Sequence, residues 1–498
     1  MSNKSDGQRA TKSLTSQAAG GFVWTLVQIL GSKVVGLLGQ IILARLLLPR
    51  DFGLLAITMI AVSLASVIRQ TGIQQILVQR HKNFRRWANP AFWFELTFGT
   101  ATAILLAAAS PIAAAVFHSH ALIGLILVSA SAAPLSAWFV VPTARLMIDM
   151  RFRAIAVVNI ATNILLTLLS VFLAWRGFGA YSFLIPIPIS GAVRCIWLWM
   201  LARPRIRLHP QLRRWRFLIG DSGFMIATGF LNSVIYQAGY LVLGLLYQKS
   251  VVGQFFFALN LSNQVAYLLS QNLGNVLLPA LAKLQDDAGR HAAALVRALR
   301  MLTFISTPAC LLLVVVAKPF VVIIYSAKWL PAVPILQLMA AASAVSIPCT
   351  PAVAAIQSRG RFSLLFWWTL VQTPVFIGAI FAGAWFGAGI GVAVAWLIFS
   401  LVASPITIRL ALAKGTGWRE VLGIYAGPLA AGLVSAALAW AIVGCFPEVG
   451  RTLWLWLLVA AAAMLAAYLA LGRATCRWEW GQLWGYARAA VMRIRRHG

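Results

Sequence analysis

Acidic residues are scarce in this chain. Asp and Glu together number 10 among 498 residues, against 41 Lys and Arg, and the net charge is +31. So few carboxylates leave little material for a cation site, and the excess of positive charge favours anionic partners. In a water-soluble protein this charge would suggest nucleic acid. Here the basic residues sit at the ends of apolar segments, which favours anionic lipid headgroups and excludes nucleic acid as the expected partner.

Enzymatic motifs are also missing. The five cysteines have no paired spacing, so the sequence predicts neither a disulfide framework nor a metal site. No Walker-type phosphate loop and no HExxH motif occurs. All loops between apolar segments are short, whereas a membrane polymerase or ligase would need a substantial outer loop with catalytic residues. We therefore expect a protein without cofactor or metal that is not an enzyme.

Fourteen apolar stretches run through the chain, each long enough to cross a bilayer as a helix. They are residues 20–44, 51–68, 90–116, 120–141, 153–175, 178–201, 219–247, 250–278, 298–325, 331–357, 362–384, 388–410, 421–445 and 452–471. The sequence thus predicts an all-α polytopic membrane protein with 14 transmembrane helices. Of the 41 Lys and Arg residues, 32 lie in or beside every second gap between spans, and seven lie in the other gaps. By the positive-inside rule, both termini are cytoplasmic. Residues 1–19 contain no apolar core or cleavage site, so no removable signal peptide is expected.

The two halves of the chain resemble one another. A shift of 200 residues superimposes Gly39 on Gly239, Leu43 on Leu243 and other small or apolar pairs. This predicts two six-helix lobes related by a parallel pseudo-repeat, followed by two C-terminal helices, with a substrate path between the lobes. The predicted segments are a cytoplasmic tail (1–19), an N-lobe (20–201), a basic cytoplasmic linker (202–218), a C-lobe (219–411), two further spans (412–471) and a basic amphipathic cytoplasmic tail (472–498).

Polar side chains form stripes within three of the spans. In the first, Gln28, Ser32, Gly36 and Gln40 recur every four residues and share one helix face. The seventh and eighth spans carry further polar positions, among them Thr228, Asn232, Tyr236, Tyr240, Asn260, Asn263 and Gln264. Such a face is costly against lipid, so it either joins helices or lines a wet cavity. We take Gln28, Gln40, Asn232, Tyr236 and Asn263 as candidate substrate-binding residues.

Lys33 lies deep in the first span, 13 residues from Gly20 and 11 from Ala44. At that depth, roughly 16 Å or more along the helix, it cannot reach either surface fully. A charge there costs about 3 kcal/mol on insertion scales. Lys33 therefore needs a cavity or an anionic partner, and both a substrate-binding role and a structural ion pair are open. Arg194, about two turns from the cytoplasmic end of its span, can extend to the headgroups.

Other charged residues lie near the cytoplasmic ends of spans. Arg69 and Arg145 lie at the mouths of the second and fourth spans and are candidates for guiding an anionic headgroup. Glu95 and Asp221 are the acidic residues clearly within spans. Either could bind a coupling proton or cation, and ion pairs with the neighbouring Arg-rich loops are the alternative.

Two further patterns concern surfaces and close packing. Residues 76–86 and the C-terminal tail mix apolar and basic positions, which favours helices lying on an anionic lipid leaflet. Gly383, Gly387 and Gly391 permit close helix approach near an outer turn.

Four stretches in order resemble the bacterial polysaccharide transporter family. They are LARLLLPRDFGLLAI (43–57), GIQQILVQR (72–80), LPALAKLQDD (278–287) and KWLPAVPILQLM (328–339). This is the family of Wzx-type lipid-linked oligosaccharide flippases, within the multidrug/oligosaccharidyl-lipid/polysaccharide exporter superfamily. Many relatives carry an acidic residue two places before the glycine that matches Gly72, where this chain has Gln70.

The resemblance implies a function in the bacterial inner membrane. It implies transfer of an undecaprenyl-diphosphate-linked oligosaccharide to the outer leaflet for exopolysaccharide, capsule or O-antigen synthesis. A polysaccharide polymerase and chain-length machinery are the protein partners it suggests. The rival hypotheses are a drug/cation antiporter of the same superfamily, which would favour buried carboxylates, and a membrane polysaccharide polymerase or ligase.

Overall fold

The computed structural model divides the chain into two compact units, 1–245 and 246–498. The residues it describes are 24–25, 27–67, 73–79, 83–204, 206, 215, 223–282, 284, 287–412, 417–444, 453–476 and 479–482.

The first unit is built from ten helices in its described part. Their long apolar runs suit a lipid environment, because a helix satisfies its backbone hydrogen bonds internally. They are α1 (Val27–Leu46), α2 (Pro49–Ser66), α3 (Ile73–Gln79), α4 (Phe84–Val116), α5 (Ala121–Ser131), α6 (Leu135–Ile148), α7 (Phe152–Trp175), α8 (Tyr181–Leu184), α9 (Pro186–Ala202) and α10 (Gly223–Leu246).

The described part of the second unit contains seven α-helices and one 3-10 turn, Ala327–Ala332. The helices are α11 (Lys249–Ala282), α12 (Ala288–Ile324), α13 (Val333–Ser346), α14 (Cys349–Ser358), α15 (Phe362–Ala411), α16 (Trp418–Gly444) and α17 (Leu453–Thr475).

Twelve candidate membrane spans are long and apolar enough to cross a bilayer in the part of the chain that is described. One of them, α15, is 50 residues long and is interrupted by non-helical backbone at Gly387 and Ala388. Its exposed aromatic side chains next to this break, Trp385 and Phe386, are 71% and 88% accessible. Side chains of this kind are stable when lipid surrounds the helix, so the outer surface confirms a multi-pass membrane protein.

Three predicted spans contain helix breaks at proline. Pro134 separates α5 from α6, Pro186 begins α9 immediately after α8, and Pro348 precedes α14. Proline lacks the N–H that would continue the hydrogen-bond ladder and crowds the preceding turn. The hydropathy of residues 120–141, 178–201 and 331–357 does not reveal these breaks, because proline leaves an apolar run apolar.

Proline inside α6 frees a carbonyl that another helix then uses. Pro142 has no N–H, so the carbonyl of Trp138, four residues earlier, loses its intrahelical donor. The indole Nε1 of Trp199, on α9, donates to that oxygen at 2.6 Å. Phe92 on α4 contacts both indole rings edge-on. An aromatic cluster of Phe92, Trp138 and Trp199 therefore lies beside the freed carbonyl of α6.

The second unit uses tyrosine in the same way. Pro308 in α12 frees the carbonyl of Phe304, and the hydroxyl of Tyr468 on α17 donates to it at 2.9 Å. The carbonyl of Val345, in the last turn of α13, accepts from the hydroxyl of Tyr425 at 3.0 Å. Both tyrosines are buried. Each satisfies an acceptor that would otherwise be orphaned in an apolar interior.

We expect Tyr468→Phe to lower the stability of the detergent-solubilised protein by about 1–2 kcal/mol, because the Phe304 carbonyl loses its donor. Thermal unfolding followed by tryptophan fluorescence measures this loss. Tyr181→Phe is the control, since no hydrogen bond from its hydroxyl is seen among the described residues. Equal midpoints for the two variants would contradict the assigned role of Tyr468.

The glycines of α15 allow its two halves to touch. A Cβ added at Gly391 would meet the carbonyl oxygen of Gly383, and a Cβ at Gly383 would meet that of Gly391. The close approach predicted for these two glycines is confirmed. Gly387 has open space around it and instead belongs to the break.

The short helix α3 is covered by protein. Ile73 and Leu77 are buried and belong to a cluster that includes Phe84 of α4. Of the apolar residues expected to face lipid in the segment 76–86, Leu77 and Phe84 are therefore buried against protein instead.

The two halves of the chain contain a turn at matching positions, as the predicted 200-residue repeat requires. Helix α1 ends at Leu46 and α2 begins at Pro49, and α10 ends at Leu246 and α11 begins at Lys249. The offset is the one that aligns the sequence halves. Within the first unit, α10 is joined to α2, because the amide of Gln237 donates to the Ser63 hydroxyl at 2.6 Å.

Candidate functional site

A cavity of about 580 Å³ lies within the first unit. Side chains from α1, α2, α4, α5, α6, α7 and α9 line it, so it occupies the interior of this helix bundle. Its walls mix aliphatic residues with amides and hydroxyls. The polar residues that matter most to its chemistry are Gln28, Ser66, Asn159, Thr162, Asn163 and Arg194.

Helical periodicity brings two polar stripes to this cavity. On α9, Ile187, Ser190, Gly191 and Arg194 are spaced three or four apart and share one face. Asn159, Thr162, Asn163 and Leu166 do the same on α7. The amide of Asn163 donates to the Ser32 carbonyl at 3.3 Å, which joins α7 to α1.

Arg194 supplies the charge of the cavity. Its guanidinium carbon lies 4.7 Å from the ring centroid of Phe139, a cation–π contact. Its Nε atom is buried and has no hydrogen-bond partner. Within the part of the chain that the structure describes, no ion pair joins Arg194 to a carboxylate. The residues that line the cavity include Arg194 and no Asp or Glu.

The hydroxyl donors around the cavity are already used. Thr162 donates to the Val158 carbonyl at 2.8 Å, and Ser190 donates to the Ile187 carbonyl at 3.2 Å. Such bonds from a side chain to its own helix leave the hydroxyl oxygen as an acceptor. The N–H groups of Arg194 and of the amides are therefore the donors that a ligand would meet.

The predicted residues of the first span separate on α1. Gln28 lines the cavity with Arg194. Lys33 and Gln40 are half-buried on the same helix and are not among the cavity-lining residues. Their roles in substrate binding stay predictions.

Arg145, near the end of α6, is a half-buried residue with local partners. Its Nε lies 3.0 Å from a carboxylate oxygen of Asp149, and both side chains are more than a third exposed. Its guanidinium also lies 5.6 Å from the Phe84 ring centroid. An exposed i, i+4 pair contributes only about 0.3–0.5 kcal/mol, so Arg145 can exchange this partner for another anion at little cost.

The remaining predicted residues are dispersed. Asn232 and Tyr236 are exposed on α10, and Asn232 donates to the Thr228 carbonyl at 2.9 Å. Asn263 is half-buried on α11, in the second unit. Glu95 is buried on α4. Arg69 and Asp221 lie outside the described residues.

The position of Arg194 in the sequence predicts a side chain that extends to the headgroups. The structure instead places it against Phe139 in the wall of a cavity that was not predicted from the sequence. The periodic polar positions of α7 and α9 were a usable signal, because a polar stripe facing lipid is costly. No group of three His, Cys, Asp or Glu residues suited to a metal ion occurs among the residues searched.

The fold is that of a known class of membrane transporter. The chain is similar to the lipid II flippase MurJ in an inward closed conformation, with a TM-score of 0.73 and 13% identity over 91% of this chain and 99% of that one. It is also similar to an inward-facing multidrug resistance MATE family transporter of the MOP superfamily, with a TM-score of 0.63 and 13% identity over 78% and 97% of the two chains.

The family follows from the sequence. The family model described as "Polysaccharide biosynthesis protein" matches residues 42–334, and the chain belongs to this family. It is 27% identical over 365 residues to the succinoglycan biosynthesis transport protein ExoT of Rhizobium meliloti, covering 72% of this chain and 73% of that relative. It is 23% identical over 424 residues to the lipopolysaccharide biosynthesis protein WzxC of Escherichia coli, covering 82% and 84%. The chain is a transporter and not an enzyme, as the sequence analysis predicts.

Proposed function

We propose that this protein is a flippase that moves undecaprenyl-diphosphate-linked oligosaccharide units from the cytoplasmic to the outer leaflet of a bacterial inner membrane. Family membership supports a role in polysaccharide biosynthesis. One relative is named as a succinoglycan biosynthesis transport protein and another as a lipopolysaccharide biosynthesis protein, and the structurally similar MurJ is a lipid II flippase.

The observation that carries the proposal is the charge of the cavity. A diphosphate needs cationic and N–H donors, and the cavity of the first unit offers Arg194 with the amides of Gln28, Asn159 and Asn163. Sugars are compatible with the hydroxyl and amide groups nearby. The apolar carrier chain can remain in lipid outside the bundle.

The substrate path that we propose also includes the residues predicted from the sequence. Lys33 contacts the diphosphate, with Gln28, Gln40, Asn232, Tyr236 and Asn263 along the route. Arg69 and Arg145 guide the headgroup inward from the cytoplasm. Anionic lipid neutralises the basic cytoplasmic ends of the helices. A polysaccharide polymerase and chain-length machinery act on the exported unit.

We further propose that the chain crosses the membrane fourteen times. Two features that raise the twelve candidate spans to fourteen support this number. Helix α15 is divided at Gly387 and Ala388 into two segments, and α11, which is not among the twelve, is 34 residues long. The repeated turn at Pro49 and Lys249 supports two six-helix lobes that alternate access to the substrate, with both termini in the cytoplasm.

We expect cysteines introduced at Arg213 and Arg290 to react with a membrane-impermeant maleimide only in inverted vesicles. Cysteines at Lys249 and Arg451 should react in intact spheroplasts, because the basic residues mark the cytoplasmic side. A background variant without the native cysteines isolates these signals. The reverse labelling pattern would refute both the topology and the direction of transport.

The rival transport function is drug/cation antiport, which the MATE fold also serves. A cationic drug would meet repulsion from Arg194 in a cavity whose lining includes no carboxylate. The direct test is complementation of a strain that lacks its own polysaccharide flippase. We expect export of polysaccharide to return without any gain in drug resistance. Drug resistance without export would favour the antiporter.

Energy coupling is proposed to involve a carboxylate. Asp221 is the first candidate and the buried Glu95 of α4 is the second. We expect Asp221→Asn to abolish the pH or ion dependence of transport in proteoliposomes, because the amide cannot take up or release a proton. Transport by this variant with full rate and unchanged dependence would exclude Asp221. Glu95→Gln, measured in parallel, then decides between Glu95 and uncoupled facilitation.

A further inference from the structure

We infer that the cavity of the first unit is an oxyanion site in which the Arg194 guanidinium binds phosphate groups. The inference deepens the proposed function, since a lipid-linked diphosphate is one source of this chemistry. Free inorganic pyrophosphate or phosphate is the other. Arg194 would be the phosphate-binding residue of this cavity, and it would act in addition to Lys33 on the substrate path proposed above.

The first argument concerns uncompensated charge. Arg194 lies in the middle of α9, eight residues before its end at Ala202, or about 12 Å along the helix. A charge at such depth is costly unless a counter-charge or water accompanies it. The cavity lining contains no Asp or Glu, and Nε is buried without a hydrogen-bond partner. An anionic ligand supplies both the counter-charge and the missing acceptor.

The contact with Phe139 is compatible with this role. A ring 4.7 Å from the guanidinium carbon stabilises the positive charge without accepting a conventional hydrogen bond. The N–H donors of the guanidinium therefore remain for a ligand. Their planar fork matches two oxygens of a phosphate group, which a lysine cannot reproduce.

The hydrogen-bond donors that remain unused in the cavity walls favour a ligand that only accepts hydrogen bonds. The hydroxyls of Thr162 and Ser190 are committed to carbonyls of their own helices. Arg194, Gln28 and Asn159 are donors that face the same cavity. Phosphate oxygens accept hydrogen bonds and donate few or none near neutral pH. A cationic ligand would instead leave these N–H groups unpaired and would be repelled.

The cavity is large enough to hold a small molecule. About 580 Å³ lies within the range of about 300–1,000 Å³ that small-molecule sites occupy. On the proposed topology, Gln28, Ser66 and Asn159 lie towards the cytoplasmic ends of their helices, and Arg194 lies at the middle of α9. The site would therefore receive its anion from the cytoplasmic side.

The experiment uses the full-length protein in nanodiscs with two probes, radiolabelled inorganic pyrophosphate and a polyprenyl diphosphate added to the lipid. Binding is compared for the wild type, Arg194→Gln, Arg194→Lys and Arg176→Gln. Arg176 is the matched control, because it is an exposed arginine of the same unit that also lies over an aromatic ring, that of Phe172, at 5.1 Å. Thermal unfolding of each variant is measured first.

We expect Arg194→Gln to weaken binding of at least one probe tenfold or more, Arg194→Lys to weaken it less, and Arg176→Gln to leave it unchanged. Arg194-dependent binding of the polyprenyl diphosphate identifies the lipid headgroup as the source. Dependence confined to pyrophosphate identifies a free anion. If Arg194→Gln does not fold, the comparison of Arg194→Lys with Arg176→Gln decides.

Binding of both probes that is unchanged in the Arg194 variants, or absent in the wild type, overturns the oxyanion site. The complementation assay tests the flippase function separately. Wild-type export with Arg194-independent binding refutes the site and leaves the function. Arg194-dependent pyrophosphate binding by a protein that never restores export refutes the function and leaves the site.

Discussion

Polysaccharide export is expected to stop in a Lys33→Ala variant that still inserts in the membrane at the wild-type level. Lys33 is half-buried on α1, six residues from the start of that helix at Val27 and 13 residues from its end at Leu46. A diphosphate that passes along α1 would accept charge-assisted hydrogen bonds from the ammonium group of Lys33. Removal of the ammonium group takes away one charge-assisted hydrogen bond to the diphosphate, worth about 1.5–3 kcal/mol. This loss matters most at the step where the diphosphate leaves water, because water then no longer replaces the missing donor.

The measurement is cell-surface polysaccharide in a complemented flippase-null strain, together with the amount of variant protein in the membrane. Lys33→Arg keeps the charge and should retain partial export. Lys318→Ala removes an exposed lysine of α12 and should leave export unchanged. Full export by Lys33→Ala would remove Lys33 from the substrate path. Low membrane abundance confined to Lys33→Ala would support the structural ion pair instead.

The second large effect is on folding. Gly391→Ala is expected to destabilise the protein by about 3 kcal/mol or more, because the new methyl group collides with the Gly383 carbonyl oxygen. Both partners are backbone, so no side chain can rotate away. The two halves of α15 must separate to relieve the clash, and the packing of the apolar surfaces around them is lost.

A matched glycine exists in the same helix. Gly378 has no atom within 4 Å of an added Cβ, so Gly378→Ala should be neutral or stabilise α15 by up to about 1 kcal/mol through helix propensity. Unfolding midpoints in detergent distinguish the two variants. Equal midpoints would show that the two halves of α15 are not in contact in the membrane-extracted protein.

Sequence patterns predicted the long spans well where an apolar run has polar ends. Residues 153–175 were predicted as one span, and α7 covers Phe152–Trp175. Residues 51–68 correspond to α2, Pro49–Ser66, whose first turn is fixed by Asp51 accepting from the Leu48 N–H at 3.0 Å. Basic residues and loop prolines define such ends chemically, and hydropathy is sufficient to find the segment between them.

The candidate site was less accessible to sequence reasoning. Whether Arg194 extends to the surface or turns inward depends on the space left by six other helices, which one helix does not encode. The contact with Phe139, 55 positions away in the chain, is the deciding feature. The break between α13 and α14 at Pro348 is similar, since proline alone does not determine where the next helix begins.

The aromatic side chains that donate hydrogen bonds to the freed carbonyl oxygens limit how this transporter can move. A proline kink is flexible when its orphaned carbonyl can take several partners. In α6 the Trp138 oxygen is held by Trp199, and in α12 the Phe304 oxygen is held by Tyr468, so bending at Pro142 or Pro308 would break a hydrogen bond between two helices. The backbone at these prolines is therefore held in one geometry. We expect the hinges of a transport cycle to lie at other positions in the helices.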